Sequence, residues 1–492
     1  MLFNSIEYLF FLPIVVIIFY NIPQKVRVIF LLVCSWFFYA CWRIEYIWLL
    51  LISTCIDYFA GISISKNQHN LRYKKIFLSL SLVTNLGILF FFKYYNFFVN
   101  EISRNIGTST LSTLDILLPV GISFYTFQSM GYTIDVYREK IKPEKSFFIF
   151  ALYVSYFPQL VAGPIETASR LIPQLKKKIN LNSKNIEIGL KLIMRGLFKK
   201  IVIADNLSLI VDSAYLNVSS TPPEVFLLAS VAFTYQVFCD FSGYCDIAVG
   251  SSKLFGIDIM NNFVQPFLSR DLGSFWRRTH ASLTIWFREY VYIPLGGSRS
   301  GTFKKYLNIF IVFVLSGIWH GSNWTFVAWG SLNGAYFFFG YLSRDIGRKT
   351  LSLLKIKDTS LIYGIYCWFK LFFLYTFSLI LFRASSISEA LQVYGKIFKS
   401  FCFENTQYFQ IINQWISSQY KVQKYIIIFV FVIILEIYHC FIDTNKFNKI
   451  MALERKKPLF FFISDSLLIY FLLMFIFLFG NFNRSPFLYF QF

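Results

Sequence analysis

The sequence predicts an all-α polytopic membrane protein, and two features support this fold class. Of the 492 residues, 56% are hydrophobic and 15% are charged, whereas a soluble domain has about 25% charged residues. Apolar runs of roughly 17 to 25 residues, long enough to span a bilayer, also recur along the chain. This composition excludes a soluble enzyme, a disordered chain and a small secreted disulfide scaffold.

About thirteen apolar runs reach spanning length, and most of them are expected to be helices. They begin at Tyr8, Val28, Tyr46, Ile76, Leu114, Phe147, Ile186, Val225, Tyr306, Trp324, Leu361, Tyr425 and Leu459. The first run is interpreted as a span rather than a cleaved signal, because Glu7 and no basic segment precede it.

The loops between the early runs alternate between basic and nearly neutral. Basic residues cluster within 25–27, 66–75 and 138–145, while the intervening loops carry few charges. The positive-inside rule then puts the basic loops in the cytoplasm and the N-terminus outside. This pattern accounts for the net charge of +21 better than a nucleic-acid partner does.

The alternation fails at the basic run Lys176–Lys178, which follows the sixth apolar run where an external loop is due. Pro158 and the pair Gly163-Pro164 interrupt that sixth run. Because proline breaks a helix, we favour a segment that enters and leaves the membrane on one side, with an interfacial position of the three lysines as the alternative.

One helical domain covering residues 1–492 is expected, since no internal repeat is visible. Within it, residues 257–305 are rich in arginine and aromatic side chains and contain no spanning run. Such a segment is expected to be interfacial or re-entrant. Residues 306–342 are expected to form helices around a histidine.

Of the four histidines, His320 and His280 are the candidate site residues. A helix that begins near residue 306 carries His320 about 22 Å into a core roughly 30 Å thick. Gly317 and Gly321 flank it and allow another backbone or a ligand to approach closely. A hydrogen-bonded core histidine and a reactive one both remain open from these residues alone. The other two histidines are not expected at a site: His69 is interpreted as a solvated loop residue, and His439 as a structural partner of Glu436.

His280 lies in the interfacial segment beside Arg277 and Arg278, with Arg288 and Arg299 nearby. Arginines interleaved with aromatic residues can clamp a phosphorylated ligand from the cytoplasmic side. On spacing alone, anchoring of these arginines to lipid headgroups is favoured over a ligand clamp.

Two carboxylates, Asp240 and Asp246, lie in an otherwise apolar run with Ser242 between them. Buried carboxylates need partners, so a structural salt bridge, most readily with arginine, is favoured over a proton relay. No metal-binding spacing of histidine and cysteine is present, and no metal is expected.

A series of short motifs extends along nearly the whole chain in a fixed order. They are Phe3–Phe10, Leu118–Gln128, Ala162–Ile165, Asp240–Asp246, Phe275–Arg278, Trp286–Arg288, Tyr292–Gly297, Gly317–Gly321, Leu381–Ala384 and Tyr489–Phe492. In these motifs the sequence resembles the membrane-bound O-acyltransferase family, in particular its bacterial alginate O-acetyltransferase branch. It departs from relatives at Thr279, where they have an aromatic residue before the first histidine.

The resemblance implies a ring of transmembrane helices with re-entrant or interfacial segments and a central funnel. It implies that His320 and His280 are catalytic, with His320 as the base that activates a hydroxyl for attack on a thioester. Arg277, Arg278, Arg288 and Trp319 are then expected at the acyl donor, while Asp240, Ser242 and Asp246 form a structural polar network. Direct transfer and a covalent acyl intermediate both remain open.

The expected donor is acetyl-CoA, with no tightly bound cofactor, and the expected location is the bacterial cytoplasmic membrane. The expected acceptor is an extracytoplasmic polysaccharide of the alginate type, reached through an acetyltransferase or esterase-like partner protein. Peptidoglycan acetylation and D-alanylation of teichoic acid are alternatives. A polysaccharide or lipid flippase and a non-catalytic secretion scaffold are the alternatives from other functional classes.

Overall fold

The computed structural model describes residues 1–107, 112–299, 301–357, 360–402, 408–419, 422–442, 458–482 and 487–488, and these ranges contain helices and no β-strand. The helices are α1 (Ile6–Asn21), α2 (Gln24–Ala40), α3 (Ile47–Lys66), α4 (Leu71–Ile106), α5 (Ile122–Tyr137), α6 (Phe147–Ser155), α7 (Phe157–Leu160), α8 (Ala168–Lys176), α9 (Ser183–Leu197), α10 (Asp205–Leu216), α11 (Pro223–Leu254), α12 (Leu272–Arg278), α13 (Ala281–Phe287), α14 (Thr302–His320), α15 (Trp324–Leu342), α16 (Arg344–Leu353), α17 (Leu361–Arg383), α18 (Ile387–Cys402), α19 (Tyr408–Gln419), α20 (Val422–Ile442) and α21 (Pro458–Phe479). Two π-helical turns, Phe198–Ala204 and Arg288–Tyr292, continue α9 and α13. The all-α membrane class predicted from the sequence is confirmed.

Five helices in the described ranges are long and apolar enough to cross a bilayer, fewer than the sequence suggests. They are Ile44–Lys66, which joins a short 3-10 turn to α3, together with α4, α11, α14 and α17. Several other apolar runs form helices shorter than a span or interrupted ones. An apolar run therefore marks a buried or lipid-facing segment here, but does not always mark one continuous spanning helix.

The helix α11 is the most enclosed of these five spans, and glycines bring α9 close against it. A Cβ added at Gly196 would collide with the backbone oxygen of Gly243, and one at Gly189 would collide with the backbone oxygen of Gly250. Small residues at such crossings let the two backbones approach, as is common between membrane helices.

The predicted basic loops all lie on one face of the molecule. Lys74 pairs with Glu139 at 2.7 Å, which joins the basic loop 66–75 to the basic loop 138–145. Arg27, at the start of α2, donates a 2.6 Å hydrogen bond to the carbonyl of Ile179. These contacts link loops that are distant in sequence, as the positive-inside pattern requires.

Both ends of the segment between α5 and α9 lie on this same face. Lys176, at the end of α8, pairs with Glu144, before α6, at 2.5 Å. Between them, α6 has nine residues, which is about 14 Å against a core of roughly 30 Å. This geometry is what a re-entrant segment requires, and such a segment would account for the break in the loop alternation at Lys176–Lys178.

The arginine-rich segment also lies on the basic face. Arg138 donates a 2.9 Å hydrogen bond to the carbonyl of Glu289, and Lys140 pairs with the Glu289 carboxylate at 3.2 Å. The described part of this segment holds the short helices α12 and α13, of seven residues each. Neither is long enough to cross a membrane.

Candidate active site

His320 is the last residue of α14 and lies inside the protein, with 6% of its surface exposed. Aromatic rings surround the imidazole: the ring centroids of Trp319, Trp329 and Phe382 are 4.9, 5.1 and 5.3 Å from its own. All three contacts are edge-to-face, an arrangement that fixes the plane of a ring. The histidine is therefore held in a defined orientation within an apolar wall.

His280 is also buried and lies close to His320, although the two are 40 positions apart in sequence. Their ring centroids are 6.5 Å apart. Phe241 of α11 packs edge-on against His280 at 4.6 Å, and Phe124 of α5 stacks parallel to it at 6.2 Å. The structure thus brings together the two histidines that the sequence analysis selected.

The backbone of His280 adopts the left-handed conformation, with φ of +46°. Asn262 holds the chain on the far side of this bend. Its carbonyl accepts a 3.0 Å hydrogen bond from the N–H of Ala281, and its Oδ1 accepts one of 3.0 Å from the N–H of Ser282. A non-glycine residue in this region persists only where the surroundings impose it, and such residues cluster at functional sites.

A cavity of about 550 Å³ lies on one side of the histidine pair. Both histidines line it, and Arg277, Arg288 and Tyr292 line it as well, from the segment on the basic face. The rest of the wall is mainly apolar and aromatic, and includes Phe241, Trp276, Phe287, Phe313, Tyr375 and Phe382. An apolar cavity with a few polar groups at its edge is typical of a small-molecule site.

A second, smaller cleft of about 30 Å³ lies on another side of His320. It is lined by Lys93, by residues 118–124, by Val161 and by Trp319, together with His320 itself. Residues 118–121 belong to the loop before α5, and a hydrogen bond of 2.9 Å from Tyr46 to the Leu117 carbonyl attaches that loop to the nearly neutral loop after α2. The cleft is therefore on the side away from the basic face, and His320 lines both spaces.

The residues predicted to bind the acyl donor do not all line the same cavity. Arg277 and Arg288 line the large cavity, whereas Arg278 donates a 3.4 Å hydrogen bond to the carbonyl of Gln265. Trp319 lines the small cleft, and its Nε1 donates a 3.4 Å hydrogen bond to the carbonyl of Ser123. Arg299 is exposed on the loop before α14.

The two carboxylates of α11 form ion pairs with the π-helical turn and the end of α9. Asp246 pairs with Arg195 at 2.6 Å and with Lys199 at 2.9 Å. Asp240 pairs with Lys200 at 2.5 Å, where the sequence analysis favoured arginine as the partner.

These ion pairs belong to a larger buried polar cluster. Lys200 also pairs with Asp205 at 2.8 Å, and Asp240 accepts a 2.8 Å hydrogen bond from the N–H of Leu488. Ser242 is buried between the two carboxylates, and its hydroxyl makes no hydrogen bond within the described part of the chain. The cluster ties α9, α10 and α11 to the described C-terminal residues, as a structural network does.

The other two histidines are remote from this site or lie outside what the structure describes. His69 is exposed in the loop between α3 and α4. The side chain of His439 and the motif Tyr489–Phe492 lie outside the described residues.

Three residues at the site were not identified from the sequence: Asn262, Lys93 and Tyr94. The long helix α4 contains Lys93 in its apolar part, next to a site more than 200 positions away in sequence. An ionisable residue within a spanning run is a functional candidate by default, so Lys93 carried a usable signal. Asn262 and Tyr94 carried none, because asparagine and tyrosine are ordinary in loops and near membrane surfaces.

Comparisons with a family sequence model and with known proteins point to the same family. Residues 37–384 match the sequence model of the membrane-bound O-acyltransferase family. The chain is 36% identical over 403 residues to the probable alginate O-acetylase AlgI of Azotobacter vinelandii, covering 81% of this chain and 78% of that protein.

Two other relatives are named for different activities. The chain is 39% identical over 332 residues to a peptidoglycan O-acetyltransferase of Helicobacter pylori, covering 62% of this chain and 63% of that protein. It is 30% identical over 239 residues to a teichoic acid D-alanyltransferase of Streptococcus thermophilus, covering 45% and 56%. The chain therefore belongs to the membrane-bound O-acyltransferase family and is a multi-pass membrane O-acyltransferase.

Proposed function

We propose that the protein transfers an acetyl group from acetyl-CoA, bound from the cytoplasmic face, to an extracytoplasmic polysaccharide, with His320 as the general base. The observation that supports this proposal most directly is that His320 lines both the large cavity and the small cleft. A group with access to two separate spaces can act on a donor from one and an acceptor from the other.

The chemistry follows from the placement of the groups. In the proposed step the hydroxyl oxygen attacks the thioester carbonyl, His320 takes the hydroxyl proton, and the carbon–sulfur bond breaks. The leaving thiolate then receives that proton from the imidazolium, which returns the base to its starting form. Because His280 lies 6.5 Å from His320 between ring centroids, it is placed to contact the acyl group or the thiol in the same cavity.

Arg277 and Arg288 support a phosphorylated donor on the basic side. Both line the large cavity, and both belong to the segment that is attached to the basic loops. Guanidinium groups bind phosphate oxygens in a bidentate manner, which suits the phosphates of CoA. The apolar wall beyond them suits the acyl chain and the pantetheine arm.

An acceptor of the alginate type is supported by the similarity to the alginate O-acetylase over most of both chains. We place the protein in the bacterial cytoplasmic membrane, where a soluble acetyltransferase or esterase-like partner on the outer side completes delivery to the polymer. Peptidoglycan is the alternative acceptor, since the peptidoglycan O-acetyltransferase has a comparable identity over a shorter stretch.

The test compares wild type with His320→Ala in proteoliposomes supplied with acetyl-CoA labelled in the acetyl group. Free CoA and the label on the protein, on alginate oligosaccharides and on peptidoglycan fragments are measured together. We expect wild type to release CoA and His320→Ala to lose at least about 100-fold in rate. His69→Ala, which changes an exposed loop histidine, is the matched control.

Equal CoA release by wild type and His320→Ala would show that His320 is not the base. No CoA release by wild type with any of the acceptors would contradict acetyl-CoA as the donor. Label on peptidoglycan fragments but not on alginate oligosaccharides would identify the alternative acceptor.

A further inference from the structure

The backbone cap of α14 reaches only one of its last four carbonyls, although the candidate base is its last residue. Gly321 follows in an extended conformation, and its N–H reaches only the carbonyl of Gly317, at 3.4 Å. The last four carbonyls of a helix have no partners within the helix, and a buried helix end without other partners is unfavourable. The carbonyls of Ile318, Trp319 and His320 therefore need partners from elsewhere.

Two consecutive residues of α4 provide these partners. The Lys93 ammonium donates hydrogen bonds of 2.7 Å to the carbonyl of Trp319 and of 2.9 Å to that of His320. The hydroxyl of Tyr94 donates a 2.7 Å hydrogen bond to the carbonyl of Ile318. All three carbonyls are thus capped by a helix more than 200 positions away in sequence.

Electrostatics favours a cation at this position. The aligned peptide dipoles give the C-terminal end of a helix a partial negative charge of about half an elementary charge, which a lysine there offsets. The ammonium also lies 6.0 Å from the centre of the Trp319 ring, within cation–π range. A lysine in an apolar spanning helix is costly unless such partners hold it.

The cap lies at the candidate site, which distinguishes a role in positioning His320 from ordinary stabilisation of a helix end. Lys93 lines the small cleft together with His320 and Trp319, so it lies where the acceptor is proposed to enter. Its contacts are made to the backbone of the candidate base itself. A shift of Lys93 therefore moves the imidazole relative to both cavities.

We propose that Lys93 and Tyr94 are positioning residues for His320, holding the last turn of α14 so that the imidazole faces the donor cavity and the acceptor cleft at once. This inference rests on the proposed function, because it takes His320 as the base. It assigns to α4 a part in the reaction although α4 contributes no catalytic group.

The test measures kcat for acetyl transfer and KM for acetyl-CoA in proteoliposomes, for Lys93→Met, Lys93→Arg and Tyr94→Phe. For Lys93→Met we expect kcat to fall about 100-fold, as for a misplacement of about 1 Å, with the donor KM within about twofold of wild type. Lys93→Arg keeps the charge and the donors and should restore kcat to within about tenfold. Tyr94→Phe, which loses one hydrogen bond, should lower kcat by about tenfold.

Lys75→Met is the matched control, because Lys75 lies near the other end of the same helix and is exposed. Thermal unfolding in detergent is recorded for every variant. Unchanged kcat in Lys93→Met would overturn the proposal. So would a kcat loss that Lys93→Arg does not relieve, or one accompanied by an equal loss of folded protein or donor binding.

Failure of the proposed function gives a different result. In that case wild type itself transfers no acetyl group, or His320→Ala retains full activity. With wild type active and His320→Ala inactive, the Lys93 and Tyr94 variants test the positioning role alone.

Discussion

At the residue scale, Asn262 is the residue on which the position of His280 depends most directly. The left-handed backbone of His280 costs about 1 to 3 kcal/mol and persists only if its neighbours hold it. Asn262 is fully buried and accepts two backbone hydrogen bonds just after the bend.

Asn262→Ala removes the Oδ1 acceptor and leaves the buried N–H of Ser282 unpaired. We expect a loss of about 1 to 3 kcal/mol in the free energy of unfolding and a fall of about tenfold in kcat, because His280 moves. Asn206→Ala is the control, since Asn206 is buried, hydrogen-bonded to the carbonyls of Val202 and Phe479, and far from both histidines in the described contacts. Equal kcat in the two variants would contradict a role for Asn262 in placing His280.

Glu166 predicts a dependence of stability on pH. It lies in the loop between α7 and α8, outside the candidate spans, and is 1% exposed. Burial raises the pKa of its carboxyl from 4.5 to about 7, although Arg170 at 3.8 Å opposes this. The folded protein therefore binds this proton more tightly than the unfolded chain does, so the stabilisation is present below about pH 4.5 and is lost as pH rises to about 7.

Glu166→Gln should abolish this slope, because glutamine stays neutral and keeps an oxygen for the N–H of Met260. Above pH 7 we expect the variant to be more stable than wild type by roughly 1 to 3 kcal/mol. Thermal unfolding in detergent between pH 4.5 and 8 measures the difference. If the unfolding temperatures of the two proteins change with pH in parallel, the carboxyl of Glu166 titrates as an exposed group does.

The sequence indicated the two histidines because each stands out chemically from its surroundings. His320 is an ionisable group in a hydrophobic run between two glycines, and His280 follows an arginine pair. Asn262 and Tyr94 were not predictable, because their importance comes from which backbone groups they reach across the fold. A single sequence contains no record of those long-range contacts.

At the element scale, α14, which ends at His320, packs against α15 through glycines. A Cβ added at Gly317 would collide with the backbone oxygen of Phe326, and one at Gly330 would collide with that of Phe313. These glycines therefore bring the two backbones into direct contact, as the sequence analysis predicted for Gly317.

Gly317→Ala should force the two helices apart and displace His320, because the new Cβ would lie 2.2 Å from the backbone oxygen of Phe326. We expect a kcat loss of about tenfold or more and a lower unfolding temperature. Gly340→Ala is the control in α15, because a Cβ there meets nothing within 4 Å. That change should be neutral or stabilise the helix by up to about 1 kcal/mol. A Gly317→Ala variant as active and stable as Gly340→Ala would exclude close packing at this crossing.

Helix boundaries were less predictable than helix existence. The run beginning at Leu114 becomes helical only at Ile122, after a loop that lines the acceptor cleft. The run beginning at Phe147 is divided between α6 and α7. Hydropathy identifies which segments avoid water, but loop geometry and tertiary packing decide where a helix ends inside a membrane protein.

At the scale of the whole molecule, the two faces are chemically distinct, and His320 lines both the large cavity and the small cleft. Ion pairs and hydrogen bonds join the basic loops on one face. On the other, Asn96 of α4 donates a 2.8 Å hydrogen bond to the carbonyl of Leu114, in the loop that leads to the cleft. The proposed direction of transfer depends on which face is cytoplasmic.

Single cysteines introduced at exposed positions test this orientation, in a background where the natural cysteines are replaced. Lys142 and Lys177 are exposed in loops on the basic face, and Asp115 is exposed in the loop before α5. Because basic loops remain in the cytoplasm, we expect a membrane-impermeant maleimide on intact cells to label Asp115→Cys and to leave Lys142→Cys and Lys177→Cys unlabelled. Permeabilised cells should label all three, which controls for local accessibility. If only one of Lys142→Cys and Lys177→Cys is labelled on intact cells, the re-entrant segment between α5 and α9 is contradicted. If both are labelled and Asp115→Cys is not, donor and acceptor enter from the faces opposite to those proposed.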